Sequence, residues 1–159
     1  MMNPRLEQVT RENVRAACEL QLRPGQEGLV APVAWSLAEA FVNQDVAWPR
    51  LIYDEDDLVG FIMAAFAPDS TQELYRSYLW RLNISADHQG SGYGRFAVAA
   101  LCREARGRGQ TRLTVSYHPG DNGPEGFYER LGFRATGEMI QDEVVAARLL
   151  TADDPLLAT

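Results

Sequence analysis

The stretch Gln89-Gly90-Ser91-Gly92-Tyr93-Gly94 joins a strand-like run, LWRLNIS from Leu79, to a helix-like run, GRFAVAALCREA from Gly94. Three glycines in five residues at such a passage read either as a tight loop needing positive φ or as a cradle for an anion. The first N–H groups of a helix point outward unpaired and carry the positive end of its dipole, so the cradle needs no basic side chain. Glycine lets the chain curl there and removes the Cβ atoms that would hold a phosphate off. The spacing GxGxG is neither GxxxxGK[ST] nor GxGxxG, which speaks against a triphosphatase and against a dinucleotide site.

Outward from the turn, Leu74 to Ile84 reads as one long central strand, and the helix after Gly92 fades at Gly107 and Gly109. Arg112 to Tyr117 reads as the next strand, His118 to Gly123 as a loop, and Pro124 to Leu131 as a short helix. Pro124 suits the first helical position, where its missing N–H costs nothing. Gly132 suits the C′ position, where glycine takes positive φ without strain. Arg134 to Gly137 and Val144 to Leu150 follow as two last strands. Upstream, Leu6 to Val9 reads as a first strand, and Thr10 as the N-cap of a helix reaching about Leu22. Ser36 reads as the cap of a second helix, SLAEAFVNQ, ended by Trp48-Pro49. Arg50 to Tyr53 and Leu58 to Phe66 flank the acidic Asp54 to Asp57 as a hairpin with a solvated turn. The pattern predicts a mixed sheet with helices on its faces. One domain over residues 1–150 with a tail over 151–159 is expected. The passage from Leu74 to Tyr117 makes two neighbouring strands parallel and puts the glycine turn at the carboxyl end of the first, where open α/β sheets take ligands.

A chain of 159 residues, 46% apolar and 23% charged, has the make-up of one globular domain. No apolar run approaches the ~20 residues of a spanning helix, so no membrane partner is expected. MMNPRLEQVTREN lacks an apolar signal region, and the cytoplasm is the expected compartment. A net charge of -7 and a pI near 4.8 speak against a nucleic-acid partner and suit a cationic substrate. Cys18 and Cys102, in separate helix-like runs, are expected to be buried reduced thiols, and no metal site is expected.

Gln89-x-x-Gly92-x-Gly94 followed by Arg95 and an apolar helix resembles the pyrophosphate-binding motif of the GNAT superfamily of acyl-CoA-dependent N-acetyltransferases. Asn122 and then Phe127-Tyr128-Glu129-Arg130-Leu131-Gly132-Phe133 resemble a second signature of that family, in the order the family has them. The resemblance covers roughly Leu6 to Leu150. It implies an α/β fold of α+β type, with a mixed central sheet of about six to seven strands, a V-shaped splay and about four flanking helices. It further implies acetyl-CoA as co-substrate: backbone groups of Leu82, Asn83 and Ile84 pair with the pantetheine arm. The N–H groups of Gln89, Gly90, Ser91, Gly92, Tyr93 and Gly94, with Arg95 behind them, hold the pyrophosphate. Tyr128 matches the family tyrosine that protonates the departing thiolate, and Asn122 the asparagine that contacts the arm. The chain departs from the family in having Pro124 where an alanine is usual, and Asn122 six rather than seven residues before the tyrosine.

Acyl transfer to an amine requires the amine to lose a proton, since a primary amine with a pKa near ~10.4 is mostly charged at neutral pH. The family acts by direct attack in a ternary complex, so no cysteine nucleophile is implied. No motif fixes the base. Glu27 and Glu39 lie in the region that forms one wall of the acceptor site in this superfamily, and are the first candidate bases; Glu73 on the sheet side and His118 past a strand end are others, and deprotonation through water needs none of them. Several stretches, VAPVAWSLAEAF, LVGFIM and YLWRLNISADHQGSGYGR, are similar to bacterial polyamine acetyltransferases. Spaced cations suit a groove of carboxylates and aromatic faces, for which Glu27, Trp35, Glu39, Tyr78 and Trp80 are candidates. Other small amines, an aminoglycoside-like antibiotic, and a protein N-terminus or lysine stand as alternative acceptors; a non-catalytic acyl-CoA sensor is the alternative of another class. A homodimer is compatible with the fold, with Val144 to Leu150 as the candidate pairing strand.

Overall fold

The computed structural model describes residues 1–158. The chain divides into two compact units, Met1–Ala64 with Arg81–Val98, and Ala65–Trp80 with the chain from Ala99 onward. In order, the elements are β1 (Pro4–Glu7), α1 (Val14–Cys18), α2 (Val33–Val42), β2 (Ala47–Asp54), β3 (Asp57–Ala65), β4 (Tyr78–Ile84), α3 (Tyr93–Gly107), β5 (Arg112–Tyr117), α4 (Glu125–Arg130), β6 (Arg134–Ile140) and β7 (Glu143–Leu149). Seven strands hydrogen-bond in the order β1-β2-β3-β4-β5-β7-β6, and with four α-helices this is the mixed α/β fold that the sequence predicts.

In the first unit, β2 and β3 form the expected hairpin, turned by Glu55 at φ 53 and Asp56. β1 lies antiparallel on β2, Pro4 opposite Asp54 and Glu7 opposite Leu51. From Val59 to Ala65 every residue of β3 is buried, because an unbroken apolar run can be covered on both faces. Gly60 sits in that run where a Cβ would meet the Asn83 carbonyl oxygen at 2.7 Å, so a glycine is what lets β4 lie so close.

In the second unit, β4 runs parallel to β5 through Tyr78 opposite Thr114 and Leu79 opposite Val115. β7 is antiparallel to β5 over the whole of Arg112 to Tyr117, and β6 is antiparallel to β7, with a register shift between Ala135 and Met139. Leu113, Val115, Phe133, Val145 and Ala146 are buried here. The segment expected as a tail is anchored: Leu156 and Leu157 are buried, and Asp154 pairs with the buried Arg148 at 2.6 Å.

Several sequence expectations are corrected. The first helix is five residues long, not a run from Thr10 to Leu22: Thr10 N donates to Asn13 Oδ1, and Asn13 Nδ2 donates to the Gln8 carbonyl, which goes with a turn over residues 11–13. Ser36 is no cap; Pro32 occupies that position, and Ser36 is fully buried one turn inside α2. Trp48-Pro49 lies within β2 instead of ending a helix. Pro49 precedes Leu51, where pairing with β1 begins, so its missing N–H costs that ladder nothing. Leu74 to Ile84 is not one strand: Glu73–Arg76 is a 3₁₀ turn, held by Thr114 Oγ1, which donates to the Leu74 carbonyl at 2.5 Å. Cys18 is exposed, whereas Cys102 is buried as expected. β7 cannot offer an edge to a second copy, since β5 and β6 flank it on both sides. Among the described residues, no helix is long and apolar enough to cross a membrane.

Candidate functional site

The glycine turn belongs to the first unit. Gly90 and Gly92 both have positive φ, 80° and 94°, a region costly for other residues. A Cβ at Gly90 would meet nothing within 4 Å, and one at Gly92 would meet a single methyl carbon, Met2 Cε, at 3.7 Å. The chain's own packing therefore does not demand glycine there; the backbone conformation does, and the space over it is open. Phe96 N donates to the Gly92 carbonyl, so α3 starts at this glycine and its first N–H groups follow directly. Gly90, Ser91, Gly92 and Arg95 are exposed.

The side chains beside the turn hold it in place. Tyr93 is buried, and its hydroxyl donates to Asp54 Oδ2 at 2.5 Å. That bond, ahead of the N–H from Asn3, holds the Asp54 carboxyl below its usual value, and it pushes the Tyr93 phenol up. Tyr93 thus offers the turn its backbone, its ring being committed inward. Gln89 does the same: Nε2 donates to the Ile84 carbonyl at 3.0 Å and to Gln26 Oε1 at 2.7 Å. His88 closes the loop through a 2.8 Å bond between Nδ1 and Ser85 Oγ.

The candidate acceptor residues of this unit lie on the segment ahead of β2. Glu27 is exposed, with Oε2 accepting from Gly25 N at 2.9 Å. Glu39, on α2, accepts from Arg81 Nη2 of β4 at 2.8 Å, with both side chains largely buried. Trp35 is 64% exposed. Asn83 is buried, and its Nδ2 donates to the Ala31 carbonyl at 3.1 Å; Leu82 and Ile84 on either side are half-buried.

Tyr128 belongs to the second unit. It is buried, stacked on Tyr117 at 5.8 Å and 17°, with Phe127 and Phe133 edge-on at 5.1 and 5.4 Å. Burial, above all, keeps its phenol protonated far beyond neutral pH. The end of α4 fixes its height: Phe133 N donates to the Tyr128 carbonyl and Gly132 N to the Glu129 carbonyl, both at 3.0 Å, with Gly132 at φ 91. This is the double bond pattern of a glycine-terminated helix. Arg148 Nε adds a third bond to the Leu131 carbonyl at 2.6 Å.

In the same unit the Tyr78 and Ser116 hydroxyls lie 2.6 Å apart, and Ser116 Oγ reaches Glu143 Oε1 at 3.4 Å. Trp80 is half-buried, and Asn122 is exposed in the loop before α4. The reading of the sequence took Asp54 for part of a solvated turn and passed over Gln26 and Ser116. Asp54 and Tyr93 are 39 positions apart, Gln26 and Gln89 63, and Ser116 and Tyr78 38, and no local spacing signals such a pair.

A family profile described as the acetyltransferase (GNAT) family matches residues 14–133. N-acetyltransferase 8B of Homo sapiens is 27% identical over 84 residues, 53% of this chain and 37% of that protein. YycN of Bacillus subtilis strain 168, an uncharacterized N-acetyltransferase, is 26% identical over 83 residues, 52% of either chain. The chain thus spans about half the length or less of these curated relatives. Among solved structures, an acetyltransferase from Thermus thermophilus has the same fold with a TM-score of 0.71 at 23% identity, over 94% of this chain and 100% of that one. The PaiA N-acetyltransferase of Thermoplasma acidophilum, solved in complex with coenzyme A, gives a TM-score of 0.69 at 11% identity, over 93% of this chain and 99% of that one.

Proposed function

The chain belongs to the acetyltransferase (GNAT) family, and from that premise we propose that it moves an acetyl group from acetyl-CoA to a primary amine of a small molecule of polyamine type. The observation that carries the donor half is the turn from Gln89 to Gly94. It opens a 15-residue helix, has two glycines at positive φ and leaves clear space over Gly90. A diphosphate there would accept from backbone N–H groups at the positive end of the helix, and Gly90 and Gly92 would admit it without strain.

In the reaction the amine nitrogen attacks the thioester carbonyl, the C–S bond breaks, and acetyl passes directly to nitrogen. The Tyr128 hydroxyl donates its proton as negative charge gathers on the departing sulfur, and recovers one from solvent. The proton shed by the amine passes to water or to a carboxylate. Glu27 is preferred to Glu39 for that step, because the Glu27 carboxylate accepts from a backbone N–H while Glu39 is paired with Arg81. Glu39 and the exposed Trp35 are assigned instead to the acceptor wall, where a carboxylate and an aromatic face attract an ammonium group. In the other unit, Tyr78 and Trp80 are proposed in their own right as aromatic contacts for the amine and Asn122 as a contact for the pantetheine arm, and the cytoplasm is taken as the working compartment.

The acceptor is tested by thiol release from acetyl-CoA with spermidine, spermine, a short diamine, an aminoglycoside and a peptide bearing a free N-terminus. Spermidine or spermine is expected to give the highest kcat/KM. A preference for the aminoglycoside or peptide overturns the polyamine reading, and coenzyme A binding without turnover on any amine favours the sensor.

A further inference from the structure

Four bonds fasten the segment from Gln21 to Glu39 to the strand and loop that carry the donor motif. Ala86 N donates to the Gln21 carbonyl at 2.7 Å. Gln89 Nε2 donates to Gln26 Oε1 at 2.7 Å, Asn83 Nδ2 to the Ala31 carbonyl at 3.1 Å, and Arg81 Nη2 to Glu39 Oε1 at 2.8 Å. All eight residues lie in the first unit. The donors on one side come from Arg81 to Gln89, in and just after the strand read as lying along the pantetheine. The acceptors on the other side are spread through the loop of Glu27 and the helix of Glu39.

Gln89 holds the central position. Its amide nitrogen has two hydrogens, and each has a defined acceptor, the Ile84 carbonyl at the end of β4 and Gln26 in the loop. A rigid fork of this kind transmits position: fixing the backbone of residues 89–94 fixes the Gln89 side chain, and thereby Gln26, one residue from Glu27. The loop's own bonds are short-range: Gln26 N to the Arg23 carbonyl, Leu29 N to the Gln26 carbonyl, Gly25 N to Glu27 Oε2 at 2.9 Å and Arg23 N to Gln26 Oε1 at 3.2 Å; none of them reaches outside the segment, so the tie to Gln89 is what relates the loop to the turn.

We infer that Gln89 and Gln26 are positioning residues that couple the donor and acceptor sites: donor bound at the glycine turn orders the Glu27 loop through the Gln89–Gln26 bond. The inference rests on the reading of residues 82–94 as the coenzyme A site. Donor and acceptor then bind with positive cooperativity, since ordering settled by the first ligand is not exacted again from the second. Gln26→Ala leaves the turn untouched and removes the oxygen that accepts from Gln89 and from Arg23 N, so its effect is read as the change on adding coenzyme A and not from the free protein. It raises KM for the amine at saturating acetyl-CoA and leaves the dissociation constant of coenzyme A close to that of the parent. Gln26→Glu keeps a carboxylate oxygen in reach of Gln89 Nε2 and restores KM.

The test is hydrogen–deuterium exchange of the full chain, free and saturated with coenzyme A. In the parent, coenzyme A slows exchange at residues 89–94 and also across residues 24–31, the latter by about two- to tenfold, the range one neutral hydrogen bond carries. In Gln26→Ala, and in Gln26→Met, which keeps the side-chain length, the slowing at 89–94 persists and that at 24–31 is lost. Slowing at 89–94 in the parent without any at 24–31 refutes the coupling and leaves the donor site standing. Undiminished slowing at 24–31 in both variants refutes it as well. No slowing at 89–94 in the parent instead overturns the donor site on which the inference rests.

Discussion

Replacing Gly60 by alanine sets two physical tendencies against each other with opposite sign. Gly60 lies in β3 at ordinary negative φ, and in such a strand alanine should add about 0.5–1 kcal/mol by restricting the unfolded chain. Against that, the new Cβ would stand 2.7 Å from the Asn83 carbonyl oxygen, 2.9 Å from Ile84 Cδ1 and 3.0 Å from Ile52 Cδ1. Ordinary contact begins at 3.4 Å, so the Asn83 oxygen must retreat by 3.4 − 2.7 = 0.7 Å. The methyl ends can swing away, but a backbone oxygen moves only with its strand. Overpacking costs about 1–3 kcal/mol, and because a backbone oxygen must yield here the cost falls in the upper part, about 2–3 kcal/mol, which leaves a net loss of about 1–2.5 kcal/mol. At this chain length the loss corresponds to a Tm lower by roughly 2–10 °C. Thermal scans and urea titrations read it directly. Because Asn83 and Ile84 carry the strand proposed to lie along the pantetheine, affinity for coenzyme A should fall further than in Val145→Ala, a core change in the other unit. A Gly60→Ala protein as stable as the parent or more so would refute the close-approach reasoning.

Tyr128→Phe keeps the aromatic cluster with Tyr117, Phe127 and Phe133 and removes the proton donor; kcat should drop about 10²- to 10⁴-fold with the melting temperature little changed. Unaltered turnover would mean that another group protonates the sulfur. Since burial raises the Tyr128 pKa, the parent's pH–rate profile should show no loss of this acid on the alkaline side below about pH 10. Cys102 is buried with its thiol pushed up to about 11, so an aromatic disulfide reagent at pH 8 should titrate one thiol per native chain, the exposed Cys18, and two in denaturant. The bond from Arg148 lowers the pKa of Asp154 below 3.8. A carboxylate depressed in the fold adds stability above its unfolded value and loses it as the pH falls through the folded one. Asp154→Asn should therefore be less stable than the parent at neutral pH, with the gap between their urea midpoints narrowing as the pH falls below the unfolded carboxyl value of about 3.9.

The parts of the fold legible in the sequence are those whose signals are local. The hairpin of β2 and β3, the helix after the glycine turn, β5 and the glycine end of α4 all follow from turn chemistry and hydrophobic period. What escaped was settled by partners far along the chain. Thr114 turns Glu73–Arg76 into a 3₁₀ element from 40 positions away, and Pro49 is admitted to β2 because β1 pairs only from Leu51 on. The exposure of Cys18 follows from α1 ending there, where the apolar pattern runs on to Leu22. The candidate site divides in the same way. The turn announces itself by its glycine spacing, and Tyr128 by the resemblance of Phe127 to Phe133 to the family's second signature. The ties of Gln89 and Tyr93, and the engagement of Glu39 by Arg81, become visible only when distant segments are brought together.

The most direct measurement mixes the full chain with acetyl-CoA, first alone and then with spermidine, and follows both the intact protein mass and the acetylated amine. Direct transfer predicts an unmodified protein with acetyl-CoA alone, and on adding the amine one acetylated amine for each coenzyme A thiol released. An acetyl group held on the protein before the amine is added, or acetyl-CoA left intact with every amine tried, would contradict it.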